Sequence, residues 1–529
     1  MSSEEQAMLD DSKYRQYMNA VEKCLRNFES SSEWADLISA LGKLNKVLNS
    51  KFKVIPKKIT IGKRLAQCMH PALPGGVHLK AINVYDSIFK IIAPDLLKAD
   101  LYIYRNSLGI FPLFSNASLQ VRPVLLNLYE THMLPLGESL RTCLDGMILG
   151  LLPGLDEGTE HFERTDLLLE RVCERVGAFD FYSAIWRCVL SSPSARLSAV
   201  QLVLRKFDRK RSTEDQLFII GSDLEVMVTA LCQSLQDNVV LTQRASLDVL
   251  ILCCPLSNLP ILYTDACILL EAALQCLLRR DMSLNRRLYS WLLGVDQSKQ
   301  SSVSSLESSE LPTFFEKYSK QMLIESLVNM LSRQTEKISS NTNVLSVIEE
   351  LYPLRILVSL LDKTEVGPVI IERVLLHVFR LFYSNANEKV DLKLKQLYRQ
   401  SNIQTLLSTE TSENDKRVLI LGEISKTANL LLGVFEPTYI WKYLSNILIS
   451  ETDNEQCEST TSYSEICQFI HLLLSFVDLE SYAEIQTVSL PTLMCHLTTI
   501  MTSNIGSLSN TQLYDGLTTC NVLLKHSQP

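Results

Sequence analysis

Between residues 277 and 294 the chain reads LLRRDMSLNRRLYSWLLG, which sets Arg279, Arg280, Arg286 and Arg287 among leucines, a tyrosine and a tryptophan. A guanidinium presents its donors in a flat fork that fits phosphate or carboxylate, so this cluster is a candidate anion site. A second candidate lies nearer the N-terminus. From Leu37 to Tyr85 there is no Asp or Glu, yet the window holds Lys43, Lys46, Lys51, Lys53, Lys57, Lys58, Lys63, Arg64 and Lys80. Its centre, SKFKVIPKKITIGKRLAQ, interleaves these bases with Phe52, Val54, Ile55, Ile59 and Ile61. A basic side chain near an anionic leaflet contributes ~1 kcal/mol, and apolar neighbours add shallow insertion. Four such residues reaching lipid would give roughly 4 kcal/mol, enough for weak, multivalent recruitment. The residues expected at an anionic membrane are Lys51, Lys53, Lys57, Lys58, Lys63 and Arg64, with Arg279, Arg280 and Arg286 second. The same charge also suits a solvated face or a dock for an acidic protein.

Other chemistry finds little support. LGKLNK and IGKRLA lack the upstream glycine of a phosphate loop, and there is no G-x-S-x-G elbow or H-E-x-x-H zinc helix. LLPGLDEG offers only Asp156 and Glu157 as oxygen ligands, too few for calcium. Cys68, His70 and His78 lie close in sequence, and Cys495 adjoins His496, but neither set matches paired zinc-ligand spacing. No catalytic residue, metal or cofactor is therefore expected. The tetrapeptide EWAD, residues 33–36, resembles tryptophan-with-acid peptides that bind kinesin light chains. The helical pattern around Trp34 instead places it on an apolar stripe, as a core residue.

The elements that would carry these residues are helical. Gly (18) and Pro (17) are sparse for 529 residues, which favours long elements joined by short connections. Tyr14, Tyr17, Met18, Val21, Leu25 and Phe28 fall at the spacing of one helix face, and Trp34, Leu37, Ile38, Leu41, Leu44 and Val47 repeat it. Ser30 and Glu33 fit an S-x-x-E capping box between the two. Prolines such as Pro94, Pro112, Pro153, Pro193, Pro255 and Pro353 punctuate later apolar segments, where a missing N–H ends one helix or opens the next. The longest uncharged run, 249–264, has sixteen residues and two prolines, so any membrane contact is expected to be peripheral. Fourteen scattered cysteines without a framework point to a reduced, cytosolic chain. A net charge of −8 gives no support for nucleic-acid binding.

A motif recurs: a small or acidic residue, an apolar residue with a basic neighbour, then an apolar stripe. It places Lys80, Arg122, Arg196, Arg244 and Arg287 at steps of 42, 74, 48 and 43, three of the four close to the ~40–47 period of HEAT/armadillo repeats. The long step leaves room for a degenerate unit around Arg164. In this reading Leu284, Leu288, Trp291 and Leu292 form a buried stripe, and Asp281 with Arg287 links neighbouring turns. Residues 296–312, DQSKQSSVSSLESSELP, break the pattern as a serine-rich linker with plausible phosphoacceptors. The expected architecture is an all-α, armadillo/HEAT-like α-solenoid of stacked hairpins. It divides into 1–295, the linker 296–312, and continuing repeats over 313–529.

Several blocks carry a family likeness: EKCLRNFESSSEWADLISALGKLNKVL, RLAQCMHPALPGGVHLKAINVYDSIFK, VRPVLLNLYE, LLPGLDEG, LLRRDMSLNRRLYSWLLG and FFEKYSK. In this order they resemble the N-terminal region of the Dopey family, across about the first 320 residues. No comparable block is evident from about residue 330 onward. The resemblance implies a non-enzymatic scaffold or adaptor in membrane traffic, cytosolic and peripheral on Golgi (trans-Golgi) and endosome membranes. It implies as partners a large scaffold related to Arf exchange factors, a phospholipid flippase, kinesin light chain and phosphoinositide-bearing membrane. It also implies longer chains than this one, which is then expected to be a fragment or a short form. The alternative is a purely protein–protein scaffold whose basic segment docks an acidic partner without touching lipid.

Overall fold

A computed structural model describes residues 11–29, 33–49, 52–104, 109–156, 158–294, 314–338, 352–387, 438–453, 463–476, 484–506 and 508–527. Lys51, Ser30 and the serine-rich segment 296–312 lie outside the described residues. Those described are helical, with no strand among them. They group into two compact units, Met1–Asp265 and Ala266–Pro529.

The first unit holds α1 (Ser12–Glu29), α2 (Trp34–Leu48), α3 (Lys58–Gln67), α4 (Gly75–Tyr104), α5 (Ile110–Asn116) and α6 (Val121–Leu128). It continues with α7 (Leu144–Leu151), α8 (Phe162–Val176), α9 (Ala178–Ser191), α10 (Arg196–Lys206), α11 (Leu224–Leu235) and α12 (Val240–Cys253). Helices pack on the next but one. α5, α7, α9 and α11 form one row, and α10 meets α12 in a second. An amphipathic hairpin cannot cover its own apolar stripe, so burial comes from stacking on the next.

The second unit takes most of α13 (Tyr263–Leu274), then α14 (Met282–Leu293), α15 (Lys320–Ile338), α16 (Tyr352–Leu361) and α17 (Gly367–Asn387). It ends with α18 (Tyr439–Asp453), α19 (Tyr463–Phe476), α20 (Leu490–Ser503) and α21 (Asn510–His526). The same alternation holds: α15, α17, α19 and α21 make one row, and α18 meets α20 in the other. Trp441, Phe379, Phe469 and Leu497 are among the side chains buried in its core. The fold class is the all-α, repeat-built one expected.

Side chains fasten successive layers at a recurring sequence distance. Lys58 reaches Asp100 at 2.5 Å across 42 residues, and His132 reaches Asp86 at 2.8 Å across 46. Arg164 grips Glu130 with two bonds of 2.9 and 2.7 Å across 34 residues. Arg187 does the same to Asp145 across 42, at 2.9 and 2.7 Å. Lys206 meets Asp166 at 2.8 Å across 40, and Arg196 meets Asp237 at 2.8 Å across 41. Arg164, around which a degenerate unit was expected, is thus tied to Glu130.

Two local expectations differ from the structure. Pro94 does not separate two helices; it lies inside α4, a 30-residue helix. Ile88, Phe89 and Ile92 before it and Leu97 and Leu101 after it are all buried, and that packing outweighs the missing backbone bond. Glu33 is not the third residue of a capped helix but the N-cap itself, without a side-chain bond, so α2 starts at Trp34. Asp281 caps α14, accepting from the Ser283 and Leu284 N–H groups at 2.9 and 3.0 Å, and Arg287 donates to the Ser283 carbonyl at 3.2 Å. The stripe Leu284, Leu288, Trp291 and Leu292 is buried as expected.

Candidate functional site

The basic segment enters from α2 through an extended stretch into α3. Phe52 stacks on Tyr17 with ring centres 5.5 Å apart and meets Tyr14 edge-on, which pins the stretch to α1. Ile55 and Ile61 are core residues, and Gly62 lets Ile103 of α4 come close. Of the apolar residues interleaved here, only Ile59, 54% exposed, stands clear of the protein.

The cations divide in the same way. Lys57 takes a left-handed conformation (φ 53°) just before α3 and pairs with Glu22 of α1 at 3.1 Å. That hydrogen bond, with one from Arg26, holds the Glu22 carboxyl below its ordinary pKa. Lys58 pairs with Asp100 of α4. The acid-free window is therefore supplied with carboxylates from outside its own sequence. Arg64 donates to Gln67 at 3.1 Å. Lys53 and Lys63 are exposed and make no ion pair among the described residues, and Lys43 and Lys46 of α2 are also exposed.

In the second cluster, Arg279 ends a 3-10 turn, Gln275–Arg279, and Arg280 follows in a left-handed conformation (φ 53°). Arg279, Arg280 and Arg286 are all exposed, whereas Arg287 lies against its own helix. Within the helix, Arg286 thus faces outward and Arg287 lies on the flank of the buried stripe.

Trp34 corrects the sequence reading. It is 58% exposed, and Glu33, Ala35 and Asp36 are exposed with it. The reason is the later helix start. As the first residue of α2, Trp34 has no preceding turn to lie against, while Ala40, Leu41, Leu44 and Leu48 carry the buried face. The whole EWAD motif therefore stands on the surface, and only its helix boundary hid this.

Among the described residues, several buried thiols are held in their neutral form. Burial pushes the thiols of Cys68 and Cys173 up to about 11 and those of Cys188, Cys254 and Cys276 up to about 12, the opposite of a reactive cysteine. His78, itself buried, places Nε2 3.0 Å from the His70 carbonyl. No three His, Cys, Asp or Glu side chains converge as metal ligands among the described residues. A cavity beneath the 207–217 loop, lined by Trp186, Phe207, Leu231 and Val249, has a volume of about 20 Å³, room for about one water. No single described helix is long and apolar enough to cross a membrane.

Paired rows of helices, fastened at repeat distance and displaying exposed cations and an exposed tryptophan, define an α-helical repeat scaffold. The chain belongs to the Dopey family. Residues 11–297 match the family model described as Dopey, N-terminal, and residues 314–527 match the DOP1 middle TPR domain, another helical-hairpin repeat. It is 42% identical to Protein DOP1B of Mus musculus and 40% identical to that of Xenopus laevis, over 100% of this chain and 24% of each relative. Identity to the Protein DOP1 homolog of Drosophila melanogaster is 36%, over 99% of this chain and 20% of that one. The chain thus spans about a quarter or less of the length of these relatives. Family and fold together point to a non-catalytic scaffold.

Proposed function

We propose that this chain is the scaffold portion of a membrane-traffic adaptor of the Golgi and endosomes, cytosolic and recruited peripherally, whose basic segment reads anionic, phosphoinositide-bearing membrane. The observation that carries this reading is the pair Lys53 and Lys63, exposed and without ion pairs among the described residues, with Arg64 and the exposed Ile59 in the same segment. A cation pair flanking one exposed isoleucine suits shallow, salt-sensitive contact with head groups. The outward Arg279, Arg280 and Arg286 form a second candidate contact. Family membership supports the adaptor role and, with it, a large scaffold related to Arf exchange factors and a phospholipid flippase as partners. Exposure of Glu33, Trp34, Ala35 and Asp36 favours kinesin light chain as a further partner, with Trp34 as the anchor.

Co-sedimentation of the chain with liposomes containing phosphatidylinositol 4-phosphate tests the lipid reading. Changing Lys53, Lys63 and Arg64 to Ser is expected to release the protein at ~0.15 M salt, where residual attraction is screened. Changing Lys57 and Lys58 to Ser is expected to leave membrane binding largely intact but lower the melting temperature, because Asp100, largely buried, loses its partner. If the unmodified chain stays in the supernatant, the segment serves an acidic protein instead.

A further inference from the structure

The loop between α10 and the 3-10 turn Glu214–Ile220 reads FDRKRSTED, residues 207–215, and carries three consecutive cations, Arg209, Lys210 and Arg211, directly before Ser212. Arg209, Lys210, Arg211 and Ser212 are all exposed, and the backbone there is not helical. Gln216 holds the loop from below. Its side-chain amide donates to the Asp208 carbonyl at 2.8 Å, and its Oε1 accepts from the Asp208 N–H at 2.8 Å. Asp208 and Gln216 are thereby clipped together, and of the seven residues between them Arg209, Lys210, Arg211 and Ser212 form an exposed run. The Ser212 hydroxyl is engaged only locally, donating to Asp215 at 2.8 Å and accepting from the Asp215 N–H at 3.1 Å.

We infer that Ser212 is a phosphoacceptor for a basophilic serine/threonine kinase, one that reads positive charge at the third and second residues before its target. Such kinases bind a short non-helical segment and hold those cations in acidic pockets by charge-assisted bonds. Two other described hydroxyls, Thr60 and Thr213, follow cations at both positions, and Ser283, Ser290 and Ser445 follow one at the third residue only, the last two being buried; the structure separates all of them from Ser212. Thr60 follows Lys57 and Lys58, but it lies within α3, and both lysines are already paired with Glu22 and Asp100. Ser283 follows Arg280, but it sits in the first turn of α14 with its hydroxyl committed to the capping Asp281 at 2.5 Å. Thr213, the neighbour of Ser212, accepts from Asn258 at 3.4 Å and lines the cavity beneath the loop.

The reaction is transfer of the γ-phosphoryl of ATP to Ser212 Oγ. The bond from that phosphorus to the ADP oxygen breaks, an O–P bond to the serine forms, the hydroxyl proton passes to the kinase's base, and ADP leaves. The ester oxygen then has no proton for Asp215, and a dianion stands beside that carboxylate. Repulsion turns the phosphate away from Asp215, and Arg209 offers it a new partner in the same loop, beside Arg211, which pairs with Asp208 at 3.4 Å.

The test incubates the intact folded chain with ATP and the catalytic subunit of cAMP-dependent protein kinase, followed by phosphopeptide mapping. Phosphate is expected at Ser212, lost in Ser212→Ala, kept in Ser212→Thr, and lowered about tenfold in Arg209→Ala, as befits one lost charge-assisted contact. Matching thermal melts of the variants show that the fold is unchanged. Phosphate confined to the serine-rich segment 296–312, or appearing at Ser212 only in heat-denatured chain, overturns the inference.

Discussion

His377 and His471 show what burial does to single groups in the second unit. Desolvation is the largest influence on each and lowers its pKa; beside His377, Arg380 pushes the same way while Glu465 opposes, and Asp515 opposes beside His471. The unfolded chain therefore binds these protons more readily than the folded one. The resulting stability is complete above a pH of about 6.5 and is lost as pH falls through the folded values. Thermal melts from pH 8 to pH 5 are expected to show a falling midpoint, and His377→Gln with His471→Gln is expected to flatten that decline. Residue types at this scale were only partly legible in the sequence. Lys57 and Lys58 were not recognisable as paired, because their carboxylates come from 35 and 42 residues away.

Elements were more legible, since helical periodicity is a local property. The buried stripe of α14 follows from spacing alone. Boundaries failed where packing overruled a local signal, as at Pro94, or where a capping motif misplaced the helix start, as at Glu33. Contacts between elements were invisible: Gly150 in α7 meets the Phe111 backbone of α5 so closely that any added carbon would collide with it. Links between helices also differ in weight. Arg196 and Asp237 are 15% and 6% exposed, whereas Arg187 and Asp145 are 43% and 51% exposed. Arg196→Ala leaves a buried carboxylate short of a partner and is expected to cost about 3 kcal/mol. Arg187→Ala is expected to cost under about 1 kcal/mol, despite equally short bonds. Denaturant titrations of the two variants make the comparison, and equal losses would refute the burial argument.

For the whole molecule, neighbour-only packing sets how damage spreads. Each unit is a succession of local interfaces, so its stability is close to a sum of repeat and nearest-neighbour contributions. Amide exchange of Arg196→Ala is expected to rise in α9 to α12 and stay unchanged in α1 to α4. A rise across the entire first unit would instead mark a single cooperative block. The all-α repeat class was legible at this scale because the apolar stripes recur throughout. The division between Asp265 and Ala266 was not, because it falls inside α13 and carries no Gly, Pro or Ser signal.

The fasteners at separations of 34 to 46 residues have a consequence for how such a chain can change length. They work like a reading frame. An insertion of a handful of residues between Asp145 and Arg187 would move the donors that span it away from their acceptors, unless it bulged out as a loop. A gain or loss of one complete hairpin would restore the phase and leave each new neighbour able to bond. Length variation in such an array is thus tolerated in two currencies only, surface loops and whole repeats.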